Sequence, residues 1–446
     1  MLVIVSVVGM AGTSANGSRA EESFSSPAEL KSLLEDADLV VGALRHIAAA
    51  DVPRDVPVVE LGPLESAMAA IDRLRADEMA MVAAAEKLPH TEFEPTQVFS
   101  TGKGQAQVVV LAGGDPTFFG IVRVLADRFG RSALKVWPTI SSLSQLFGKL
   151  GMSWDDAVVI NANGSGEEET RRALNACLAF PKVAVISTDG ELPGKLGRGL
   201  RHRDRMLAVA SATGTAQEQV TELTPTAASA QWFTPSTVTV VWRPVGVAVA
   251  KARGVHVCAG APRVPYRWAL ADAAFAHQDA AVTSAEVRAI ALSRLGPGPG
   301  DLVWDIGSGE GSVAVECGRF GAAVVAVEAD RGACVRIATN ARAHGVEVDV
   351  VSGRAPEVLA DLADPDAVYV GGGGAAVVAA CAARVRRCVV VAVSSVDEVT
   401  ACRSAMTSAG LAVDGVLQQA SGLTGLGSGD RLATARPTFL LWGERS

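Results

Sequence analysis

At 446 residues the chain exceeds what one hydrophobic core usually holds, and two domains is the simplest organisation. A composition of 49% hydrophobic and 20% charged residues excludes extended disorder, and 45 glycines point to many tight strand-to-helix turns. The net charge of -8, with 40 basic residues scattered rather than gathered into a stripe, excludes a nucleic-acid footprint but leaves room for a local arginine pocket that binds a polyanionic small molecule.

Residues 1–10 are apolar but too short to span a bilayer, and no basic leader precedes them, so they predict a buried first strand. The stretch 13–28, rich in Ser, Gly and Ala, predicts a loop. Strand-like runs at 2–8, 39–41, 108–111, 134–137, 157–160 and 183–187 alternate with helical stretches in an α/β pattern. A strand-rich stretch follows at 206–210, 218–223 and 237–241. Residues 243–266, small and rich in Pro and Gly, predict a linker that divides the chain into domains 1–245 and 246–446. The pattern then restarts, with a helix at 285–295 and strands at 302–305, 323–328, 346–351, 367–370, 388–393 and 438–442. Seven cysteines without a C-x-x-C pair, and six dispersed histidines, predict reduced thiols, no disulfide framework and no metal site. With no long apolar run elsewhere, a soluble cytoplasmic enzyme is expected, free of membrane and nucleic-acid partners.

The clearest chemical signal is Val303-Trp304-Asp305-Ile306-Gly307-Ser308-Gly309-Glu310-Gly311, a strand running into a glycine turn that opens a helix. Glycine lets backbone approach a ligand closely, and the helix N-terminal amides then face it. Two nucleotide readings compete here, because a dinucleotide fingerprint also places glycines after a strand and an acid about twenty residues later. Two details favour S-adenosylmethionine. The third glycine is Gly311, whereas the dinucleotide pattern needs Gly or Ala where Ser312 stands. Asp305, just before the turn, suits a cationic methionine end and would repel a pyrophosphate. Glu328, ending the next strand, is placed to accept both ribose hydroxyls, and Gly371, Gly372, Gly373 and Gly374 end a later strand as a surface a flat ligand can approach.

These residues, together with Leu270-Ala271-Asp272-Ala273-Ala274-Phe275-Ala276-His277, Val282-Thr283-Ser284-Ala285-Glu286 and Gly353-Arg354-Ala355-Pro356-Glu357, resemble the decarboxylating precorrin methyltransferase domain of the cobalamin pathway over most of residues 255–446. The resemblance implies a Rossmann-like class I fold and S-adenosylmethionine contacts at Thr283, Gly307, Ser308, Gly309, Glu310, Gly311, Glu328 and Ala355. Where that family commonly carries Asn-Ala-Val, this chain has Val391-Ala392-Val393.

In the first half, Val109-Val110-Leu111-Ala112-Gly113-Gly114-Asp115-Pro116-Thr117 is a strand ending in a Gly-Gly-Asp-Pro turn, which by itself is also a common turn sequence. With Thr139-Ile140-Ser141-Ser142 and Ser187-Thr188-Asp189-Gly190 it resembles the two-lobed tetrapyrrole methylase fold, specifically the domain that methylates meso carbon 5 of a precorrin, over roughly residues 1–245. Gly113, Gly114, Asp115, Thr117, Ser141 and Ser142 are the cofactor contacts this resemblance implies.

Together the two resemblances describe a fused precorrin-6Y C5,15-methyltransferase (decarboxylating). They imply S-adenosylmethionine as cofactor and a precorrin as substrate, with Arg263, Arg267 and Arg288 as carboxylate anchors beside Gly371 and Gly372. No catalytic triad is expected, because a reduced tetrapyrrole supplies its own nucleophilic carbon. A symmetric homo-oligomer is expected for an enzyme of this kind. A second reading stays open: RNA or protein methylation by the C-terminal domain, with the first half as a non-catalytic scaffold.

Overall fold

The computed structural model describes residues 3–10, 27–62, 64–85, 106–163, 166–213, 215, 217–244, 267–277, 283–426, 429–434 and 437–445. Most of the loop expected at 13–28, and the linker expected at 243–266 beyond residue 244, lie outside them; Pro27 and Ala28 instead open the helix Pro27–Glu35.

Runs that are apolar at nearly every position form strands covered on both faces, which is the usual state of a parallel sheet. In the first sheet β1 (Val3–Met10), β2 (Leu39–Gly42) and β4 (Ala106–Gly113) are of this kind, and with the more exposed edge strands β3 (Val58–Glu60) and β5 (Leu134–Trp137) they lie in the order β3-β2-β4-β1-β5. The pairings of β1 with β4 and β5, and of β2 with β3 and β4, are parallel. The opening strand is buried as its composition predicts. The chain leaves β1 toward β2 and leaves β4 toward β5, in opposite directions, so a topological switch point lies between the carboxyl ends of β1 and β4.

A second sheet is built from β6 (Val158–Asn161), β7 (Lys182–Ser187), β8 (Met206–Ser211), β9 (Gln219–Leu223) and β10 (Thr237–Trp242), in the order β6-β7-β10-β8-β9.

The third sheet takes β11 (Leu302–Ile306), β12 (Ala323–Glu328), β13 (Asp349–Ser352), β14 (Ala367–Val370), β15 (Cys388–Val393), β16 (Ala412–Gln418) and, after the hairpin β17 (Ser421–Leu426) and β18 (Gly429–Thr434), β19 (Thr438–Glu444). Its order is β13-β12-β11-β14-β15-β19-β16, parallel except for β19, which runs antiparallel to both neighbours. This is a Rossmann-like class I methyltransferase topology, and its switch point falls between β11 and β14. Along β11 the side chains alternate between two cores: Leu302, Trp304 and Ile306 enter one, Val303 the other. Among the described helices none is long and apolar enough to cross a membrane.

By packing, the chain divides into two compact units: Met1–Trp154 with Val209–Thr221 and Phe233–Val238, and Asp155–Ala208 with Glu222–Trp232 and Thr239–Ser446. Within the second unit, the helix Glu167–Ala179 is joined to the β11 sheet by polar contacts. Asn175 donates to the Gly300 carbonyl at 3.1 Å, and Arg171 pairs with Asp366, whose carboxylate also accepts from Leu302 N at 2.8 Å. Arg205, 5% exposed, reaches both oxygens of Glu347 at 2.8 Å.

Candidate active sites

The turn after β11 is held by its own backbone. Gly307 N and Ser308 N both donate to the Val327 carbonyl, at 2.9 and 3.2 Å, which draws the ends of β11 and β12 together. Gly307, Gly309 and Gly311 have φ of 66°, 55° and 77°, the left-handed region that a side chain disfavours. Space imposes the same choice. A Cβ on Gly311 would stand 2.9 Å from Ile337 Cγ2, and one on Gly307 would stand 3.1 Å from Gly372 N. The reciprocal position, Gly371, would place a Cβ 2.9 Å from the Gly307 carbonyl. The glycine turns after β11 and β14 therefore pack backbone to backbone across the switch point, while Gly372 faces open space.

Two carboxylates serve this turn. Glu328 accepts Gly309 N on Oε2 and Asp330 N on Oε1, each at 2.9 Å, so the acid ending β12 lies directly on the glycine turn. Each oxygen keeps acceptor capacity for one more donor. Asp305, 1% exposed, accepts Ser308 Oγ at 2.7 Å and Ala314 N at 2.9 Å on Oδ2, whereas its enclosed Oδ1 has no partner among the described residues. Burial pushes its carboxyl up from 3.8 to about 6; the bonds from Ser308 and Ala314 oppose the rise and nearby Glu328 adds to it. Thr283 is tied in from below by a hydrogen bond with the buried Tyr369 hydroxyl of β14, and burial raises that hydroxyl to about 12. Ala355 is partly buried against the core that Trp304 and Ile306 enter. Beside the switch point, at the ends of β14 and β15, lies a cavity lined by Val370, Gly371, Gly372, Val391, Ala392 and Val393, among others.

In the first unit the turns after β1, β4 and β5 meet. A Cβ on Gly9 would stand 2.7 Å from the Gly114 carbonyl and 2.9 Å from Thr139 N, so only glycine lets these three loops close. Gly114, with φ 65°, donates to the Met10 carbonyl at 3.0 Å, and its Cα faces Ser141 and Ser142. Asp115 folds the turn by accepting Thr117 N at 2.8 Å and Thr117 Oγ1 at 2.7 Å on one oxygen, an Asx turn. Ser141 caps the helix Ser142–Leu150 by accepting Ser144 N at 3.1 Å. Gly113, Gly114, Asp115, Thr117, Ser141 and Ser142 thus come together at one sheet edge.

Comparison with known proteins places both halves. Residues 28–228 match the family of Tetrapyrrole (Corrin/Porphyrin) Methylases, and residues 273–428 match the Precorrin methyltransferase domain. A precorrin-6Y C(5,15)-methyltransferase [decarboxylating] from Sinorhizobium sp is 34% identical over 280 residues, covering 59% of this chain and 62% of that protein. Its namesake from Mycobacterium tuberculosis (strain CDC 1551 / Oshkosh) is 30% identical over 276 residues, covering 60% and 64%. The chain thus spans less than two thirds of the length of these curated relatives. Among solved structures, a precorrin-6y C5,15-methyltransferase from Geobacter metallireducens GS-15 is 26% identical, with TM-score 0.38, over 40% of this chain and 97% of that one.

Within residues 273–428, two side chains have other work than the ligand contact expected of them. Glu310 is 1% exposed, and its carboxylate is taken by Arg336 while its carbonyl accepts Asn340 Nδ2 at 2.8 Å; it fastens the turn to the helix Arg331–Ala343. Arg288 corrects the anchor expectation outright. It is 0% exposed, and its guanidinium is consumed by the carbonyls of Thr283 and Leu270, by Asp272 at 3.3 Å and by buried Glu316 at 3.5 Å, so no charge is left to hold a substrate carboxylate. Arg267 is exposed, and its carbonyl accepts from Arg319. Arg263 lies outside the described residues. In the first unit the sequence reading missed Arg45 and His46, on the helix Leu44–Ala49, which lie against Gly113. The signal was available: a basic pair just past the second strand of a parallel sheet stands at the carboxyl edge, where ligands bind.

Proposed function

We propose that the chain transfers methyl groups from S-adenosylmethionine to meso carbons 5 and 15 of a precorrin and removes a ring acetate as carbon dioxide, in cobalamin biosynthesis. The observation that carries this reading is a glycine-lined crevice at the switch point of each of two parallel sheets, in a chain whose relatives are named for both methylations. The C-terminal crevice fits the cofactor. The two Glu328 oxygens, each holding one N–H, can still receive two ribose hydroxyls; buried Asp305 Oδ1, unpartnered among the described residues, supplies negative potential for the methionine ammonium; and Gly372 beside the turn faces open space. Bound there, the cofactor supplies an electrophilic methyl carbon. The protein's own work is alignment and exclusion of water, because a reduced macrocycle provides the electron pair without a general base.

Calorimetric titration of the full chain with adenosylhomocysteine tests the pairing. Two equivalents per chain are expected; a single equivalent would leave one domain as a scaffold.

Asp305→Asn should separate stability from binding. The folded state holds the Asp305 proton more tightly than the unfolded chain, so the destabilising effect of its buried charge is absent below about pH 4, develops between pH 4 and 6, and is complete at neutral pH. The amide keeps an oxygen for Ser308 and Ala314 but carries no charge. Thermal melts at pH 7.5 should then give a gain of about 1–3 kcal/mol that vanishes at pH 4, while the affinity of the C-terminal site for S-adenosylmethionine drops about tenfold or more. A variant that binds the cofactor as well as the wild type would remove Asp305 from the site.

A further inference from the structure

We propose that Arg45, oriented by His46, is a carboxylate anchor for the tetrapyrrole in the first site. The inference rests on the reading above, that this site takes a polycarboxylate macrocycle. Arg45 is exposed and pairs with no acid among the described residues. Its Nε donates to His46 Nε2 at 3.3 Å, so that nitrogen accepts and carries no proton. The imidazole is kept in that state by its surroundings: burial first and the Arg45 charge second lower its pKa from 6.5 to about 4, against a smaller opposing effect of the Leu111 backbone.

The pair lies on the glycine turn itself. A Cβ on Gly113 would stand 3.0 Å from His46 Cε1, so glycine at 113 lets the imidazole come this close, and it would stand in ordinary contact with Arg45 Nη2 at 3.9 Å. One guanidinium edge is engaged by the histidine, and Nη1 and Nη2 remain free to form a fork around a carboxylate. Two other cations of this unit, Arg128 and Lys149, pair with Asp72 and Glu218. Apolar surface adjoins the same edge. Phe119, on the loop after β4, is 51% exposed with a left-handed φ of 52°, and Ile140, just before Ser141, is equally exposed. A backbone held in that region with its aromatic ring in solvent marks a ligand-facing position. A cation beside apolar side chains matches a flat hydrocarbon ring bearing acidic arms, whereas a nucleotide phosphate would call for neither Phe119 nor Ile140.

The test uses the full chain, precorrin-6Y and methyl-labelled S-adenosylmethionine, with label at carbon 5 read separately from label at carbon 15. Arg45→Gln is expected to raise the tetrapyrrole KM for the carbon 5 transfer about 10- to 100-fold, with kcat changed much less and carbon 15 transfer intact. Arg45→Lys should recover part of the loss, because it keeps the charge without the fork. His46→Phe, which keeps a ring but no acceptor, should raise KM in the same direction by a smaller factor. The adenosylhomocysteine stoichiometry serves as the check on folding. If the wild type labels carbon 5 and Arg45→Gln leaves its KM unchanged, or lowers kcat alone, the anchor is overturned while the function stands. If the wild type transfers no methyl to carbon 5, the functional reading of the first site fails, and the anchor with it.

Discussion

Replacing Arg288 by leucine is expected to destabilise the second unit by about 3–5 kcal/mol, because it takes one of two arginines from a buried carboxylate and leaves the Thr283 and Leu270 carbonyls without their donor. Glu316 is 0% exposed; it accepts Leu270 N at 2.7 Å on one oxygen and pairs with Arg319 at 2.8 Å on the other, and Arg288 supplies the remaining compensation. Arg288 also binds the carbonyls of Leu270 and Thr283 and stacks its guanidinium 4.7 Å from the Phe275 ring centroid, so one side chain fastens the segment before the helix Ala285–Leu295 onto the helix Ser312–Arg319. Denaturant unfolding measures the loss. The double variant Arg288→Leu with Glu316→Leu should recover much of it, since an apolar pair of similar volume leaves no buried charge. A carboxylate anchor would behave otherwise: stability would hold and only the tetrapyrrole KM would rise.

The second large effect is expected at Glu328. Glu328→Ala removes the acceptor for Gly309 N and both oxygens available to a ribose, and hydrogen bonds to a charged group are worth about 1.5–3 kcal/mol each. Affinity at the C-terminal site should fall about 100-fold or more, and titration with adenosylhomocysteine should drop from two strong equivalents to one. Transfer to carbon 15 and release of carbon dioxide should fall with it, while transfer to carbon 5 persists. Equal loss at both carbons would mean that the two sites do not work separately.

The central strands of all three sheets were legible because they are rich in apolar and β-branched residues, a pattern that depends on no distant contact, and β4 and β11 also run into glycine. The first strand (Val3–Met10) and β11 (Leu302–Ile306) needed only their own residues. Strand β16, Ala412–Gln418, was not legible: it lies at the sheet edge, buries little, and carries Asp414 and Gly415 mid-strand, which strand composition disfavours. Strand β13 was placed three residues early because Val346 and Val348 read as strand but serve instead as packing for the side cluster around Phe275.

The same division runs through the sites. The glycine turns and the position of Glu328 follow from spacing along a βαβ unit. Arg288 misled because sequence does not distinguish an arginine that meets a ligand from one that meets a buried glutamate twenty-eight residues on. Gly371, expected to approach a flat ligand, has the Gly307 carbonyl as a close neighbour across the switch point, a contact that only the fold reveals. The Arg45–His46 pair stayed hidden because its partner, Gly113, stands on β4, nearly seventy residues away in sequence.

The central claim is that one chain carries two separate methylation sites. Incubating the intact chain with precorrin-6Y and methyl-labelled S-adenosylmethionine, then counting label and carbon dioxide per macrocycle, addresses it directly. Two methyl groups and one carbon dioxide are predicted; a single methyl group under saturating cofactor, or transfer without any carbon dioxide, would contradict it.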